Sequence, residues 1–283
     1  MPMIRNRVAR ATLALALAAV LAGCAVQVPP VEGMVWQIDN ETAAPKGDWE
    51  RLGATRLLIQ WTAVDGIAFR EGTVLPSGTI PDWNRIAAEP WAHEVILGLA
   101  GRFDEKSARA DIAQLAETSA ALARLPTPLN LVGYYFPVEI DPTWTEAPQL
   151  TALLAKLPRP LWISVYDSAN VGPQELADGL LKWIPPDVGV FFQDGVGVYA
   201  RRPWVALHYA HVLERSLGKG RVRIIAEAFR PKEGGGFRPA TIDELRPQLA
   251  TYAGLPIYLF EGPRYVPPGL VEQLVKAGAG KQQ

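Results

Sequence analysis

Two glutamates stand at the ends of apolar runs in this chain, and their placement would suit acid–base chemistry on a glycosidic bond. Glu139 closes the run Leu-Val-Gly-Tyr-Tyr-Phe-Pro-Val-Glu, and Glu227 closes the run Arg-Val-Arg-Ile-Ile-Ala-Glu. One carboxyl group would protonate the leaving oxygen while the other attacks or supports the anomeric carbon, which requires two different environments and no metal or cofactor. Neither glutamate has a helix start directly behind it, so we expect a site rather than a structural role.

The elements that must position these glutamates alternate along the chain as short apolar runs and helical segments. The predicted strands are Met34–Asp39, Arg56–Thr62, Glu94–Ala100, Asn130–Ile140, Leu161–Asp167, Gly189–Asp194, Arg223–Phe229 and Ile257–Glu261. Their near-continuous apolar character fits parallel strands that are buried on both faces. Eight such units predict an α/β fold, a single (β/α)8 TIM barrel, with Glu139 on the fourth strand and Glu227 on the seventh at the C-terminal rim.

The helices predicted between these strands differ in the clarity of their pattern. The clearest is Asp104–Leu125, in which apolar residues recur at helical spacing before a proline stop. Shorter helices are predicted at Leu150–Leu157, Pro173–Trp183, Trp204–Leu217 and Ile242–Tyr252, whereas Asp48–Leu52 is barely a helix. The alternative fold is an open doubly wound sheet, but no Gly-x-Gly-x-x-Gly follows the first strand.

Composition describes one globular domain over residues 34–283, close to the usual barrel length of roughly 250 residues. Hydrophobic residues make up 49% and charged residues 20%, which allows a large core. The net charge is −1 and the basic residues are not gathered in the sequence, so nucleic acid is not an expected partner. Three histidines and one cysteine are too few for a zinc site, and we expect no metal and no cofactor. The tract Glu233–Gly236 is predicted to be a flexible loop.

Residues 1–23 are predicted to be an N-terminal lipoprotein signal peptide. Three arginines precede the apolar stretch Ala11–Leu21, which is too short to span a bilayer as a helix. The stretch ends in Leu-Ala-Gly-Cys, which resembles the lipobox of bacterial lipoproteins, so Cys24 is expected to carry acyl chains. Cys24 is the only cysteine in the chain and therefore has no disulfide partner within it. The alternative is an ordinary secretory signal in which Cys24 has no role.

Residues 24–33 are predicted to be a short tether between the lipid and the domain. Alanine stands at position 25, where an aspartate would indicate inner-membrane retention in the bacterial families that this segment resembles. The expected location is therefore the cell envelope, with attachment through the N-terminal lipid anchor to the outer membrane, facing the periplasm.

The other predicted site residues are polar or aromatic side chains at strand ends, where a solvated pocket needs polar groups. In chain order they are Gln37, Asp39, Gln60, Trp61, Arg102, Tyr135, Tyr166, Asp167, Gln193, Asp194 and Glu261. Asp39, Asp167 and Asp194 have an equally good interpretation as caps of the turns that follow them. Gln60 and Gln193 could form hydrogen bonds at the barrel mouth without any ligand.

Five short segments carry a resemblance to a known family. They are Trp36-Gln37, Leu58–Thr62, Gly133–Glu139, Phe192–Gly197 and Ala226–Phe229. Together they resemble a family of uncharacterised bacterial domains described as glycoside-hydrolase-like TIM barrels, and the resemblance spans nearly the whole mature chain. The acids on strands four and seven are also similar to clan A of the retaining glycoside hydrolases, which implies Glu139 as acid/base and Glu227 as nucleophile.

The chain departs from that clan at two positions. Val138 stands where an asparagine usually holds the sugar 2-hydroxyl, and Phe260-Glu261 stands where a tryptophan commonly ends the eighth strand. The paired glutamates favour a lipid-anchored hydrolase that acts on a bacterial polysaccharide with retention. The departures favour a non-catalytic carbohydrate-binding barrel that assists exopolysaccharide export or cell-envelope assembly. Both interpretations expect a carbohydrate partner, which some of the nine tryptophans could contact with their flat faces.

The two catalytic roles require pKa values that differ. The apolar residues before Glu139 predict a raised pKa for this group, which suits a general acid. Arg223 and Arg230 lie near Glu227 in the sequence and would favour its ionised form, although strand geometry does not guarantee that either guanidinium reaches it.

Overall fold

Eight parallel strands close a barrel in which the order of strands around the cylinder follows their order in the chain. The computed structural model describes residues 27–278. The strands are β1 (Gly33–Trp36), β2 (Arg56–Ile59), β3 (Glu94–Gly98), β4 (Leu131–Ile140), β5 (Leu161–Val165), β6 (Val188–Gln193), β7 (Val222–Glu227) and β8 (Ile257–Phe260). β1 pairs with both β2 and β8, which closes the sheet. The predicted α/β class and the (β/α)8 TIM barrel are confirmed.

Helices cover the outside of the barrel. They are α1 (Trp83–Ala87), α2 (Glu105–Ala110), α3 (Ile112–Leu122), α4 (Leu150–Leu154), α5 (Pro173–Trp183), α6 (Pro203–Leu217), α7 (Ile242–Thr251), α8 (Gly262–Tyr265) and α9 (Pro268–Gly278). Short 3-10 turns lie at Trp49–Leu52, Pro90–Ala92, Ala147–Gln149 and Lys219–Arg221. The predicted helix Asp104–Leu125 is divided at Asp111, where φ is −96° and ψ is 13°. Helices α1, α8 and α9 were not predicted.

The inside of the barrel is filled by one apolar layer of side chains. The layer consists of Val35, Leu58, Ile96, Tyr135, Trp162, Phe191, Ile225 and Tyr258. Gly33 and Gly189 make room for its largest rings, because a Cβ at these positions would lie 2.4 Å from the ring of Tyr258 and 2.2 Å from that of Trp162. A filled interior is typical of TIM barrels, in which ligands bind above the packed core rather than through it.

Strand β4 contains two residues more than its neighbour β5 along their shared edge. Phe136 pairs with Ile163, whereas Glu139 pairs with Ser164, so Pro137 and Val138 have no partner in β5. A proline is tolerated at such a bulge because it has no N–H group to donate to the ladder. Since the extra residues number two, Glu139 still faces the same side of the strand as it would without them.

Two small sheets extend the loops that follow the barrel strands. Ala63–Val64, Ile67–Ala68 and Ala100–Gly101 form a three-stranded sheet. Phe229–Pro231 pairs with Phe237–Pro239 in an antiparallel hairpin beyond β7. The tract predicted to be a flexible loop, Glu233–Gly236, supplies the turn of this hairpin, and its three glycines take φ values of 82°, 98° and 73° that other residues rarely adopt.

The folded domain begins earlier in the chain than the sequence predicted. Val31 is only 1% exposed, and its N–H group donates to the carbonyl of Leu52 at 2.9 Å. The N–H group of Glu32 donates to Ile257 at 2.9 Å, so part of the predicted tether packs on the domain. The signal peptide and Cys24 lie outside the described residues. Within residues 27–278, no helix combines the length and the apolar character that crossing a membrane requires.

Candidate active site

The inward-facing positions just beyond the apolar layer form a second ring of residues, here called the inner ring. Its members are Gln37, Gln60, Gly98, Glu139, Ser164, Gln193, Glu227 and Phe260. Side chains alternate along a strand, so a step of two residues from the apolar layer gives each of these positions, with the two extra residues added in β4. Both predicted catalytic glutamates therefore belong to one ring, at the C-terminal end where TIM-barrel active sites lie.

Glu139 is held at both its side chain and its backbone. Its Oε2 accepts a hydrogen bond from Nε2 of Gln193. Its N–H group donates to Oε2 of Glu105 at 3.0 Å, and its carbonyl accepts from Arg109 at 3.0 and 3.2 Å. Burial raises the pKa of Glu139 to about 8, the charge of Glu105 raises it further and Arg109 opposes the shift. A carboxyl group with this pKa carries a proton near neutral pH, as a general acid must.

Glu227 lies beneath the loop that follows β6. Its side chain is 5% exposed, and Oε2 accepts hydrogen bonds from the N–H groups of Gly197 at 2.6 Å and Val198 at 3.3 Å. Burial raises the pKa of Glu227 to about 8 and the charge of Asp194 adds to the shift, while the two N–H donors lower it. The loop therefore orients one carboxylate oxygen and stabilises the ionised form.

The expected separation of the two pKa values is not found, because burial raises both to about 8. Neither arginine near Glu227 in the sequence contacts its carboxylate. Arg223 pairs with Glu32 at 3.1 Å at the opposite end of the barrel. Arg230 donates to the backbone carbonyl of Glu227 at 3.1 Å. The two glutamates differ instead in their donors, a side-chain amide for Glu139 and two backbone N–H groups for Glu227.

Tyr166 links the two glutamates in one electrostatic environment. Its pKa is raised first by burial, and then by the negative charges of both Glu227 and Glu139. Its ring lies against Gly195, where an added Cβ would come within 3.0 Å, and the guanidinium of Arg201 stands 5.0 Å from the ring centroid. The raised pKa keeps the phenol of Tyr166 protonated at neutral pH, so this group can donate a hydrogen bond at the barrel mouth.

Asp194 supports Glu227 from behind the strands and is fully buried. Its Oδ1 accepts from the N–H groups of Val196 at 3.1 Å and Glu227 at 3.2 Å. Its Oδ2 accepts from Nε2 of Gln248 at 2.6 Å and from the hydroxyl of Tyr252 at 2.8 Å. Burial raises its pKa. Asp194, predicted to bind substrate, thus fixes the loop and the end of β7.

Asp167 also has a structural role rather than the predicted contact with substrate. It is fully buried, and it accepts from the N–H groups of Val171 at 3.0 Å and Gly172 at 3.1 Å and from the hydroxyl of Tyr209 at 2.7 Å. These bonds shape the turn before α5, which agrees with the alternative interpretation of Asp167 as a cap.

The ends of β1 and β8 are joined through Arg264. Asp39 accepts from two N–H groups of the turn that follows it and pairs with Arg264, which agrees with its interpretation as a cap. Glu261 is fully buried; Oε1 accepts from the N–H group of Gln37 at 3.0 Å and Oε2 from Arg264 at 2.8 Å. Burial raises the pKa of Glu261 to about 7 against the opposing charge of Arg264. These groups hold the rim together, and only Gln37 has its side chain in the inner ring.

Three further predicted binding residues lie within the fold. Trp61 is 2% exposed, and its indole N–H donates to the carbonyl of Ile38 at 2.8 Å, so its ring is not a platform for a sugar. Arg102 is paired with Asp111 at 2.7 Å in the loop after β3. Tyr135 is 3% exposed and belongs to the apolar layer below the inner ring.

Gln60 has hydrogen-bonding capacity that the described residues do not use. Its Oε1 is shielded from solvent and accepts no hydrogen bond within residues 27–278. Buried acceptors are normally satisfied, so this oxygen is suited to a hydroxyl donor that reaches the inner ring.

Sequence reasoning missed several residues at the site. Glu105 and Arg109 reach Glu139 from α2, and Arg201 donates to the carbonyl of Gln193 at 3.2 Å and also to that of Asp167. The local sequence around these residues gives no indication of contacts with residues distant in the chain. Ser164 of the inner ring, by contrast, lies two positions before Tyr166 and could have been found from strand alternation.

Exposed aromatic side chains stand on the segments that follow β3, β6 and β7, including the first turn of α6, in which Trp204 lies. Phe103 is 54% exposed, Tyr199 64%, Trp204 69% and Phe237 43%. Loops after barrel strands lie at the same end as the inner ring. Flat aromatic faces at this end suit the apolar faces of sugar rings.

The chemical groups of the site are thus two buried carboxyl groups, one unused amide oxygen on Gln60 and an aromatic rim. Within residues 27–278, no group of three His, Cys, Asp or Glu side chains is arranged to hold a metal ion. No family model, curated protein or solved structure matches the chain.

Proposed function

We propose that this protein is a retaining glycoside hydrolase that acts on a bacterial polysaccharide and is attached to the outer membrane of the cell envelope through Cys24. The observation that carries the proposal is the placement of Glu139 and Glu227 in one ring at the C-terminal end of the barrel. Two carboxyl groups on β4 and β7 are the chemistry that double displacement requires.

The reaction would proceed in two steps on these side chains. The reaction requires Glu227 in its ionised form, which the N–H groups of Gly197 and Val198 stabilise. Glu139 gives its proton to the glycosidic oxygen while the carboxylate of Glu227 attacks the anomeric carbon, so the aglycone leaves and a glycosyl ester forms on Glu227. Glu139, now ionised, takes a proton from water as that water attacks the anomeric carbon, which releases Glu227 and returns the proton to Glu139. Oε1 of Glu227 suits the attack, because the loop N–H groups bind Oε2.

The second candidate function is carbohydrate binding without catalysis. It is favoured by the cover over Glu227, which leaves this side chain 5% exposed beneath Gly197 and Val198. Attack on a sugar requires the loop to move aside, as lids of many enzymes do. The exposed aromatic residues of the loops would serve this function equally well.

Kinetics of two alanine variants separates these functions. With activated aryl glycosides, Glu227→Ala should lose turnover and recover it with azide, giving product of inverted configuration. Glu139→Ala should keep much of the first step, because a good leaving group needs little protonation. Glu146→Ala, an exposed glutamate in the loop after β4, is the matched control and should behave as the parent does.

The substrate panel should also include bacterial exopolysaccharides. If the parent turns over none of these substrates, and both glutamate variants bind glycan as tightly as the parent does, the hydrolase proposal is wrong and the binding function is supported. Product configuration measured by NMR tests retention independently of the variants.

A further inference from the structure

Four exposed cations lie where the helices return to the N-terminal ends of neighbouring strands. Arg124 follows α3, Lys156 follows α4, Lys182 is in the last turn of α5, and Lys219 lies between α6 and β7. None of the four takes part in an ion pair within residues 27–278. We call this set the basic arc.

The fold brings the basic arc together from positions that are far apart in the chain. The four cations precede β4, β5, β6 and β7, and these strands are consecutive neighbours around the barrel. The arc therefore occupies a continuous half of the N-terminal face. The sequence showed no basic cluster because each helix–strand junction contributes one cation.

Four acidic side chains at this end, Glu32, Glu94, Asp187 and Glu272, are paired with arginines and do not neutralise the arc. Glu50 and Glu214 also lie near this end, and within residues 27–278 neither forms an ion pair with a cation of the arc. Cations near helix C-termini commonly offset the helix dipole or bind terminal carbonyls. Arg159 and Arg221 do so here, with bonds to Leu157 at 2.8 Å and Leu217 at 3.1 Å. The side chains of the basic arc make no such bond within residues 27–278.

The chain enters the domain on this same face. Val28 packs against the core, and a Cβ at Gly278 would lie 3.6 Å from the carbonyl oxygen of Val28. Cys24 is three residues before Gln27, and an extended chain spans at most about 3.6 Å per residue. The Cα atom of Cys24 is thus held within about 11 Å of that of Gln27, where the described chain begins.

We propose that the basic arc docks on an anionic lipid surface, so that the N-terminal face of the barrel lies against the membrane and the inner ring opens away from it. The charge of the arc and the entry of the chain on the same face carry this inference. The orientation rests on the proposed attachment through Cys24, whereas the binding of the arc to lipid does not. Each lysine or arginine near an anionic membrane contributes about 1 kcal/mol, which is roughly a fivefold gain in partitioning.

Vesicle sedimentation of the chain that starts at Ala25 tests the proposal without the lipid anchor. Every contact described above lies within residues 27–278, so this chain contains them all. We expect binding to vesicles of equal parts phosphatidylglycerol and phosphatidylcholine at low salt, and little binding at high salt, because salt screens exposed charges. Pure phosphatidylcholine vesicles should bind weakly. Equal binding to both kinds of vesicle would overturn the proposal.

The decisive comparison is between two fourfold charge reversals. Replacing all four cations of the basic arc by glutamate should lower partitioning by at least tenfold, given roughly fivefold for each cation. The matched control reverses four exposed cations at the opposite end of the barrel, through Lys46→Glu, Lys106→Glu, Arg202→Glu and Lys232→Glu. It changes the net charge equally and should bind as the parent does. An equal loss in both variants would refute a face-specific contact.

Two further measurements test whether the variants are folded and whether the arc binds nucleic acid instead of lipid. Circular dichroism checks that each variant is folded, and if the fourfold arc variant is not, the single reversals should each lower partitioning about fivefold. Binding of short duplex DNA with no preference for anionic vesicles would identify a different partner and overturn the proposal. Turnover of aryl glycosides is measured separately, so failure of the hydrolase proposal leaves this result unaffected.

Discussion

The buried carboxyl group of Glu139 should make the stability of the barrel depend on pH. Its pKa is raised from 4.5 to about 8, mainly by burial. Between these values the folded protein retains a proton that the unfolded chain releases. This contribution to the free energy of unfolding is therefore fully present below pH 4.5 and is lost as the pH rises through about 8.

The size of the effect follows from the shift. A difference of one bound proton changes the free energy of unfolding by about 1.4 kcal/mol per pH unit, so the whole window corresponds to about 5 kcal/mol. Solvent reaches part of this side chain, and we therefore expect about half of that amount. Glu139→Gln removes the titration. The free energy of unfolding of this variant, relative to that of the parent, should therefore rise by about 2 kcal/mol between pH 5 and pH 8.5.

Urea unfolding, followed by tryptophan fluorescence at several pH values, measures this difference. Glu227 and Glu261 titrate in both proteins and cancel in the comparison. Glu244→Gln is the control, because the pKa of Glu244 is shifted in the opposite direction: the hydrogen bond from Arg238 lowers it to about 2. Above pH 5, Glu244 is ionised in both the folded and the unfolded state, so this variant should differ from its parent by a constant amount. Parallel pH profiles for Glu139→Gln and the parent would refute the reasoning.

Three further outcomes are expected. Gly197→Ala places a Cβ 2.6 Å from that of Glu227, so it should displace the loop. This substitution should lower the free energy of unfolding in urea by about 1–3 kcal/mol and lower any turnover. Unchanged stability and turnover would contradict the loop geometry. Tyr199→Ala should weaken glycan binding, measured by calorimetry, and leave the melting temperature unchanged. Trp61→Phe should instead lower the free energy of unfolding by about 1 kcal/mol and leave the affinity for glycan unchanged. The reverse pattern would exclude Tyr199 from the binding surface. Cys24→Ala should leave an unlipidated precursor with a folded domain, and unchanged membrane fractionation would rule out the lipoprotein assignment.

The fold could be predicted because the signals for it are local. Apolar runs of strand length, each followed by helical periodicity, identify all eight barrel strands to within a few residues. Alternation along β4 and β7 also places Glu139 and Glu227 on the inner side. The prediction of one continuous helix over Asp104–Leu125 was wrong, because Asp111 interrupts the helical backbone and divides the segment into α2 and α3.

The surroundings of the two glutamates could not be predicted, because loop paths and distant contacts decide them. The backbone donors of Gly197 to Glu227, and the approach of Glu105 to Glu139, depend on how loops cross the mouth of the barrel. The burial of Asp194 behind β7 has the same origin. For this reason the aspartates at strand ends could not be divided in advance into caps and ligand contacts.

The two extra residues in β4 determine the depth of Glu139 separately from its direction. If β4 continued in regular register with β5 after Phe136, Ser164 would lie opposite position 137, and Glu139 would stand level with Tyr166, two residues or about 6.6 Å nearer to solvent. A register shift of one residue at this point would turn the acid to the outside of the barrel, whereas a shift of two residues moves it only along the axis. The bulge formed by Pro137 and Val138, whose side chains take no part in the chemistry, thus sets how deep a sugar must enter the barrel to reach the acid.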